Sequence, residues 1–66
     1  MFLIDMATFY VLYDEFTRTF VRSGKGDFRT YSLNAAKHFT SEWSANKFKS
    51  NGRDIEYLTV KKIVRE

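Results

Sequence analysis

The run Thr8-Phe9-Tyr10-Val11-Leu12-Tyr13 is apolar or aromatic at both odd and even positions. Residues two apart on a strand share a face, so a strand without a polar face belongs inside a sheet that is covered on both sides. In a chain of 66 residues the second cover is expected to be a helix, a partner chain or a ligand. Asp14-Glu15 then predicts a turn. Residues 17–22 alternate as a second strand, with Phe20 between Arg18 and Arg22 on one face and Thr17, Thr19 and Val21 on the other, pairing with the first strand as a hairpin.

Ser23-Gly24-Lys25-Gly26-Asp27 predicts a tight turn, because glycine takes the positive φ such turns need, and Phe28-Arg29-Thr30-Tyr31 predicts a short third strand. Ser32 suits a helix N-cap. Leu33, Ala36, Phe39 and Trp43 fall at helical spacing on one stripe, which predicts the helix that covers the sheet. Thr40-Ser41-Glu42 reads as a fresh N-cap, so the expectation is two short helices or one kinked near Thr40. Asn51-Gly52 predicts the stop, with the glycine left-handed. Residues 55–64, rich in Ile, Tyr, Leu, Thr and Val, predict a last strand. The fold expected is a single small α+β domain over 1–66, of order β-β-β-α(-α)-β, with a mostly antiparallel sheet and the helix or helices packed on one face.

A domain this short derives roughly 3–5 kcal/mol from its core, and others of its size add disulfides or a metal. With no cysteine and one histidine, neither staple is expected, and no cofactor. The resource is aromatic: seven Phe, four Tyr and one Trp, each ring worth about 150–250 Å² when buried. That implies either a packed aromatic core or self-association.

The lack of cysteine fits a reducing compartment. No apolar run approaches the roughly 20 residues of a bilayer span, and Met1-Phe2-Leu3-Ile4-Asp5 is too short and unflanked for a signal peptide. A cytoplasmic protein without a membrane partner is expected, with translation starting at Met1 or Met6. The net charge of +3 lies wholly in residues 34–66, since 1–33 balance four basic against four acidic side chains.

Catalytic constellations are not legible. The glycine loop departs from the phosphate-binding pattern Gly-x-x-x-x-Gly-Lys-Ser/Thr, because Lys25 precedes the second glycine and a strand follows. His38 lacks the neighbours a metal site or a general base needs, and is expected as a partly exposed helical residue. Asp14-Glu15 and Asp54 with Glu56 offer no convergent carboxylates. No enzyme is expected.

Two binding readings remain. Phe20, Phe28 and Tyr31 interleaved with Arg18, Arg22 and Arg29 supply the residue types of a base-stacking platform for single-stranded nucleic acid. Against it, a core this small needs its aromatics, and arginine stems cover rings well. The other is a protein surface, for which Tyr10, Tyr13, Phe20, Tyr31 and Trp43 are the candidate contacts, since Tyr and Trp dominate interface hot spots. Lys61, Lys62 and Arg65 are expected to guard a C-terminal edge strand.

The opening strand Phe9-Tyr10-Val11-Leu12-Tyr13, the hairpin, then Ala35-Ala36-Lys37-His38-Phe39-Thr40 and Ala45-Asn46-Lys47-Phe48 resemble the small accessory proteins that phages and other mobile elements encode. Such proteins commonly dock on a host protein and alter or block it; the DNA mimics among them are acidic, and this basic chain departs from those. The function expected is therefore a non-enzymatic protein-binding regulator or inhibitor, with a homo-oligomer also in view and single-stranded nucleic-acid binding as the alternative. The contact surface expected is the face of the first strand left uncovered beside Tyr10 and Tyr13.

Overall fold

A computed structural model describes residues 7–22, 28–52 and 54–65 of the chain. Strand β1 spans Ala7–Asp14, β2 Thr19–Val21, β3 Arg29–Thr30 and β4 Thr59–Arg65, with one helix, α1, over Glu42–Asn51. The antiparallel sheet has the order β3-β2-β1-β4, which places the apolar first strand inside. β4 pairs with β1 along its whole length, from Ala7↔Arg65 to Tyr13↔Thr59. β2 meets β1 only at Tyr13↔Phe20 and Asp14↔Thr19. The α+β class, the element order and the single antiparallel sheet are those the sequence predicts. The Ser23–Asp27 turn and the Met1/Met6 question lie outside the described residues.

The helix expected over 33–39 does not form. Leu33–Ala35 make a turn, in which the Ala35 and Ala36 amides donate to the carbonyls of Ser32 and Leu33. The chain then runs extended between the diverging strands: the Lys37 amide donates to Val21, while Tyr10 and Phe39 exchange both backbone hydrogen bonds at 2.9 and 2.8 Å. The reason is the accounting of backbone groups. Because β2 leaves β1 after two residue pairs, the inner edge of β1 at Tyr10 needs a partner, and a buried backbone group without one is costly. A seven-residue helix has little propensity to set against that.

Consequently Leu33, Ala36 and Phe39 do not form one stripe. Val11 and Leu12, adjacent on β1 and pointing to opposite faces, are both fully buried. On the Leu12 face lie Val21, Phe39, Ala45, Ile55 and Leu58, with Tyr10, Phe48 and Val60 half-buried around them. On the Val11 face lie Phe9 and Ala36, with Phe20, Leu33 and Ile63 packed against them. The imidazole of His38 stacks on the Phe9 ring, centroids 3.9 Å apart. The second cover is thus an extended piece of the same chain, which seals Val11 and leaves Tyr10 and Tyr13 half-buried.

α1 begins where the second N-cap is predicted. Ser41 is extended, and its Oγ accepts the Ser44 amide at 3.1 Å; Glu42 occupies the first turn. Ala45 and Phe48 face the sheet, and Phe48 meets Phe39 edge to face at 5.4 Å. Trp43 points outward, 68% exposed beneath Lys47, so it does not extend the covering stripe. Gly52 ends the helix with φ −83, not left-handed. Its smallness serves instead to admit the buried Ile55, whose Cγ1 would stand 2.6 Å from a Cβ at position 52. Asp54, two positions on, is left-handed, φ 62. Residues 55–58, predicted as strand, form a turn closed by the Leu58 amide on the Ile55 carbonyl, and both side chains enter the core.

Candidate functional site

The site is built on Asp14, where β1 ends. Its carboxylate is nearly sealed, 3% exposed, and organises the loop that follows. Oδ1 accepts the amides of Phe16 at 2.9 Å and Thr17 at 3.2 Å; the Arg18 amide donates to the Asp14 carbonyl at 2.7 Å. This local capture by an aspartate takes Thr17 and Arg18 out of the predicted strand, and Arg18 closes the loop at φ 63. Oδ2 accepts the Tyr57 hydroxyl at 2.8 Å from the 55–58 turn, and the Arg29 guanidinium on β3 lies 3.8 Å away. Arg29 also donates to the Tyr57 oxygen at 3.3 Å. One buried carboxylate therefore ties together the β1–β2 loop, β3 and the turn before β4.

Above this anchor sits an aromatic pair. Phe16 is 85% exposed and its ring lies 6.1 Å from that of Tyr57, which is half-exposed. The loop is further held by a Thr17–Thr19 hydroxyl contact at 2.7 Å and by Thr59 donating to Glu15 at 3.2 Å. Phe16 is thus a large apolar side chain presented to solvent on a backbone with little freedom.

Burial alone would raise the pKa of Asp14; the hydrogen bonds from Tyr57, from the Thr17 and Phe16 amides and from the Thr17 hydroxyl outweigh it and hold the carboxyl below its ordinary value of 3.8. A lowered native pKa contributes stability that is present above the unfolded value and lost as pH falls through the native one. Wild type is accordingly expected to exceed Asp14→Asn in stability at neutral pH, with the gap closing below about pH 4. Urea unfolding of both proteins across that range checks this; a gap unchanged between about pH 6 and pH 3 contradicts it.

The residues singled out in the sequence scatter. Tyr13 and Phe20 do meet, rings 5.1 Å apart, half-buried on the Val11 face with Lys61 over Tyr13. Tyr10 is half-buried on the opposite, helix face. Tyr31 and Trp43 are 81% and 68% exposed at separate places. The nucleic-acid platform divides. Phe20 pairs with Thr30, and the Arg22 amide bonds the Phe28 carbonyl, so Phe20, Arg22 and Phe28 share a face. Arg29, opposite Val21, is on the other face with Asp14 and Tyr57, and Arg18 belongs to the loop. His38 is exposed but not helical, its Nε2 3.2 Å from the Leu33 carbonyl oxygen. Lys37 lies over the Phe39 and Phe48 rings, and Lys49 donates to the Leu58 carbonyl, so these two cations serve packing.

Phe16, Tyr57 and the role of Asp14 escape sequence reading. The one available signal is Asp14 followed by Phe16 and Thr17, an aspartate placed to cap a turn with an aromatic inside it. No family model matches the chain, and no curated protein or solved structure matches it. No helix among the described residues is long and apolar enough to cross a membrane.

Proposed function

We propose that this chain is a non-enzymatic docking module that works in the cytoplasm by binding another protein and modulating or inhibiting it, in the manner of the phage and mobile-element accessory proteins it resembles. The observation that carries this reading is Phe16: it is 85% exposed in a chain that has buried other aromatics on both faces of its sheet. Exposing a phenylalanine forgoes about 1.5–3 kcal/mol of burial. Fixing its loop by a sealed carboxylate lowers the entropy lost on binding, which is how a preorganised anchor gains affinity. Tyr57, half-exposed beside it, extends the contact. The nucleic-acid alternative has less support, because its platform is split between two faces.

Affinity capture of the full chain from the cells that encode it, compared with Phe16→Ala, tests this. Phe16→Ala is expected to leave unfolding stability within about 0.5 kcal/mol, as for a surface change, while the captured protein is lost. Undiminished capture by a folded Phe16→Ala protein overturns the reading.

A further inference from the structure

We infer that the outer edge of β4 is a second docking element, which takes an acidic, extended segment of another protein as a fifth strand of the sheet. Tyr10 turns both its backbone groups to Phe39, so β1 offers β4 the groups of its odd-numbered residues, and their partners are Thr59, Lys61, Ile63 and Arg65. The N–H and C=O groups of Val60, Lys62 and Val64 point the other way, and none has a backbone partner among the described residues.

An open edge is a template for another strand, and proteins blunt it by shortness, proline, bulges or charge. This edge is seven residues long, contains no proline and pairs in unbroken register. Charge is the only one of these devices present: Lys61, Lys62 and Arg65, with no acid between 59 and 65. Those cations select among partners. A second copy would pair antiparallel about a two-fold axis. Centred on Lys61 it sets Lys61 against Lys61; centred on Lys62, Lys62 against Lys62; centred on Ile63, Lys61 against Arg65. Like charges directly opposite are destabilising, so self-pairing is disfavoured in each of these registers, the three that pair five or more residues of the strand.

The same cations favour an acidic strand. Lys61 and Arg65 flank the edge on the Val11 face, and Lys62 on the helix face, where it makes no ion pair among the described residues. Between them Val60 and Ile63 are half-buried and Val64 is 50% exposed, leaving aliphatic surface that a purely repellent edge does not need. A partner strand alternating acidic and aliphatic residues, with its acids on the Val11 face, would satisfy the backbone, Lys61 and Arg65, and the valines of the helix face together. The inference rests on the docking reading above only in taking the partner to be a protein, and it concerns a different surface from Phe16.

The test uses the full-length chain and the probe peptide acetyl-Glu-Val-Glu-Val-Glu-Val-Glu-amide, read by amide hydrogen exchange at low salt. At a peptide concentration near ten times its dissociation constant, exchange at the Val60, Lys62 and Val64 amides is expected to slow about tenfold, as mass action requires. Lys61→Glu, which sets an acid against the peptide's own glutamates, should remove most of this protection, and raising salt to about 0.5 M should do the same without any substitution. The inference is overturned if these amides are unaffected up to the peptide's solubility limit, or if the lysine counterpart of the peptide protects equally. It is also overturned if oligothymidylate protects them instead, or if protection grows with protein concentration alone. Failure here with Phe16-dependent capture intact removes the edge and leaves the docking module; the reverse outcome removes the Phe16 anchor and leaves the edge.

Discussion

Phe39→Ala is expected to abolish the folded state at room temperature. Phe39 is 7% exposed and joins Leu12, Val21, Ala45, Ile55 and Leu58, with its ring edge-on to Phe48 and beneath Lys37. Removing a buried phenylalanine costs about 3–5 kcal/mol through lost transfer energy and the cavity left behind. A single core of this size supplies roughly the same amount, so nothing remains to hold the chain. The position matters for a second reason. The Phe39 backbone occupies the inner edge of β1 at Tyr10, and the side chain is what pins the extended segment there. Amide spectra and a urea titration decide the matter: a dispersed spectrum with a cooperative transition less than about 1.5 kcal/mol below wild type would contradict this account of Phe39. Phe39→Leu, which keeps most of the apolar volume, should remain folded.

The second large effect comes from a pair of neighbours. Leu12→Ala is expected to cost about 2–5 kcal/mol and Val11→Ala about 1.5–3 kcal/mol, each the full loss for a buried site. Both side chains are fully buried although they point to opposite faces of β1. Were one face open, substitution there would fall within about 0.5 kcal/mol of wild type. Chemical denaturation of the two variants measures both losses. The value for Val11 is the informative one, because its cover is only the Leu33–His38 segment with Phe20 and Ile63.

Much of the fold was legible because local chemistry and tertiary demand agree. The unbroken apolar run at 8–13 marks a central strand, Ser41 with Glu42 marks a helix start, and cations at 61, 62 and 65 mark an edge. Legibility fails where a long-range need overrules a local pattern. Leu33, Ala36 and Phe39 have helical spacing, yet Tyr10 requires a backbone partner and the segment is drawn out extended to supply it. The helical stripe still identified buried residues, but it assigned them to one side of the sheet where the structure uses both. Gly52 ends the helix as its place after Asn51 predicts, but what requires glycine there is the buried Ile55, which a side chain would displace. The candidate site was the least legible part. Its Asp14–Tyr57 bond joins residues 43 positions apart, and no local spacing announces that contact.

The arrangement as a whole encloses β1 from both sides within one chain and holds an aromatic pair out at the loop end. The measurement closest to that claim is site-specific photocrosslinking of the full-length chain in the cells that encode it, with p-benzoylphenylalanine placed in turn at Phe16, Tyr31 and Tyr13. A discrete adduct with one other protein from position 16, and none from the half-buried position 13, is the expected result. No adduct from position 16, or the same diffuse adducts from all three positions, would contradict it.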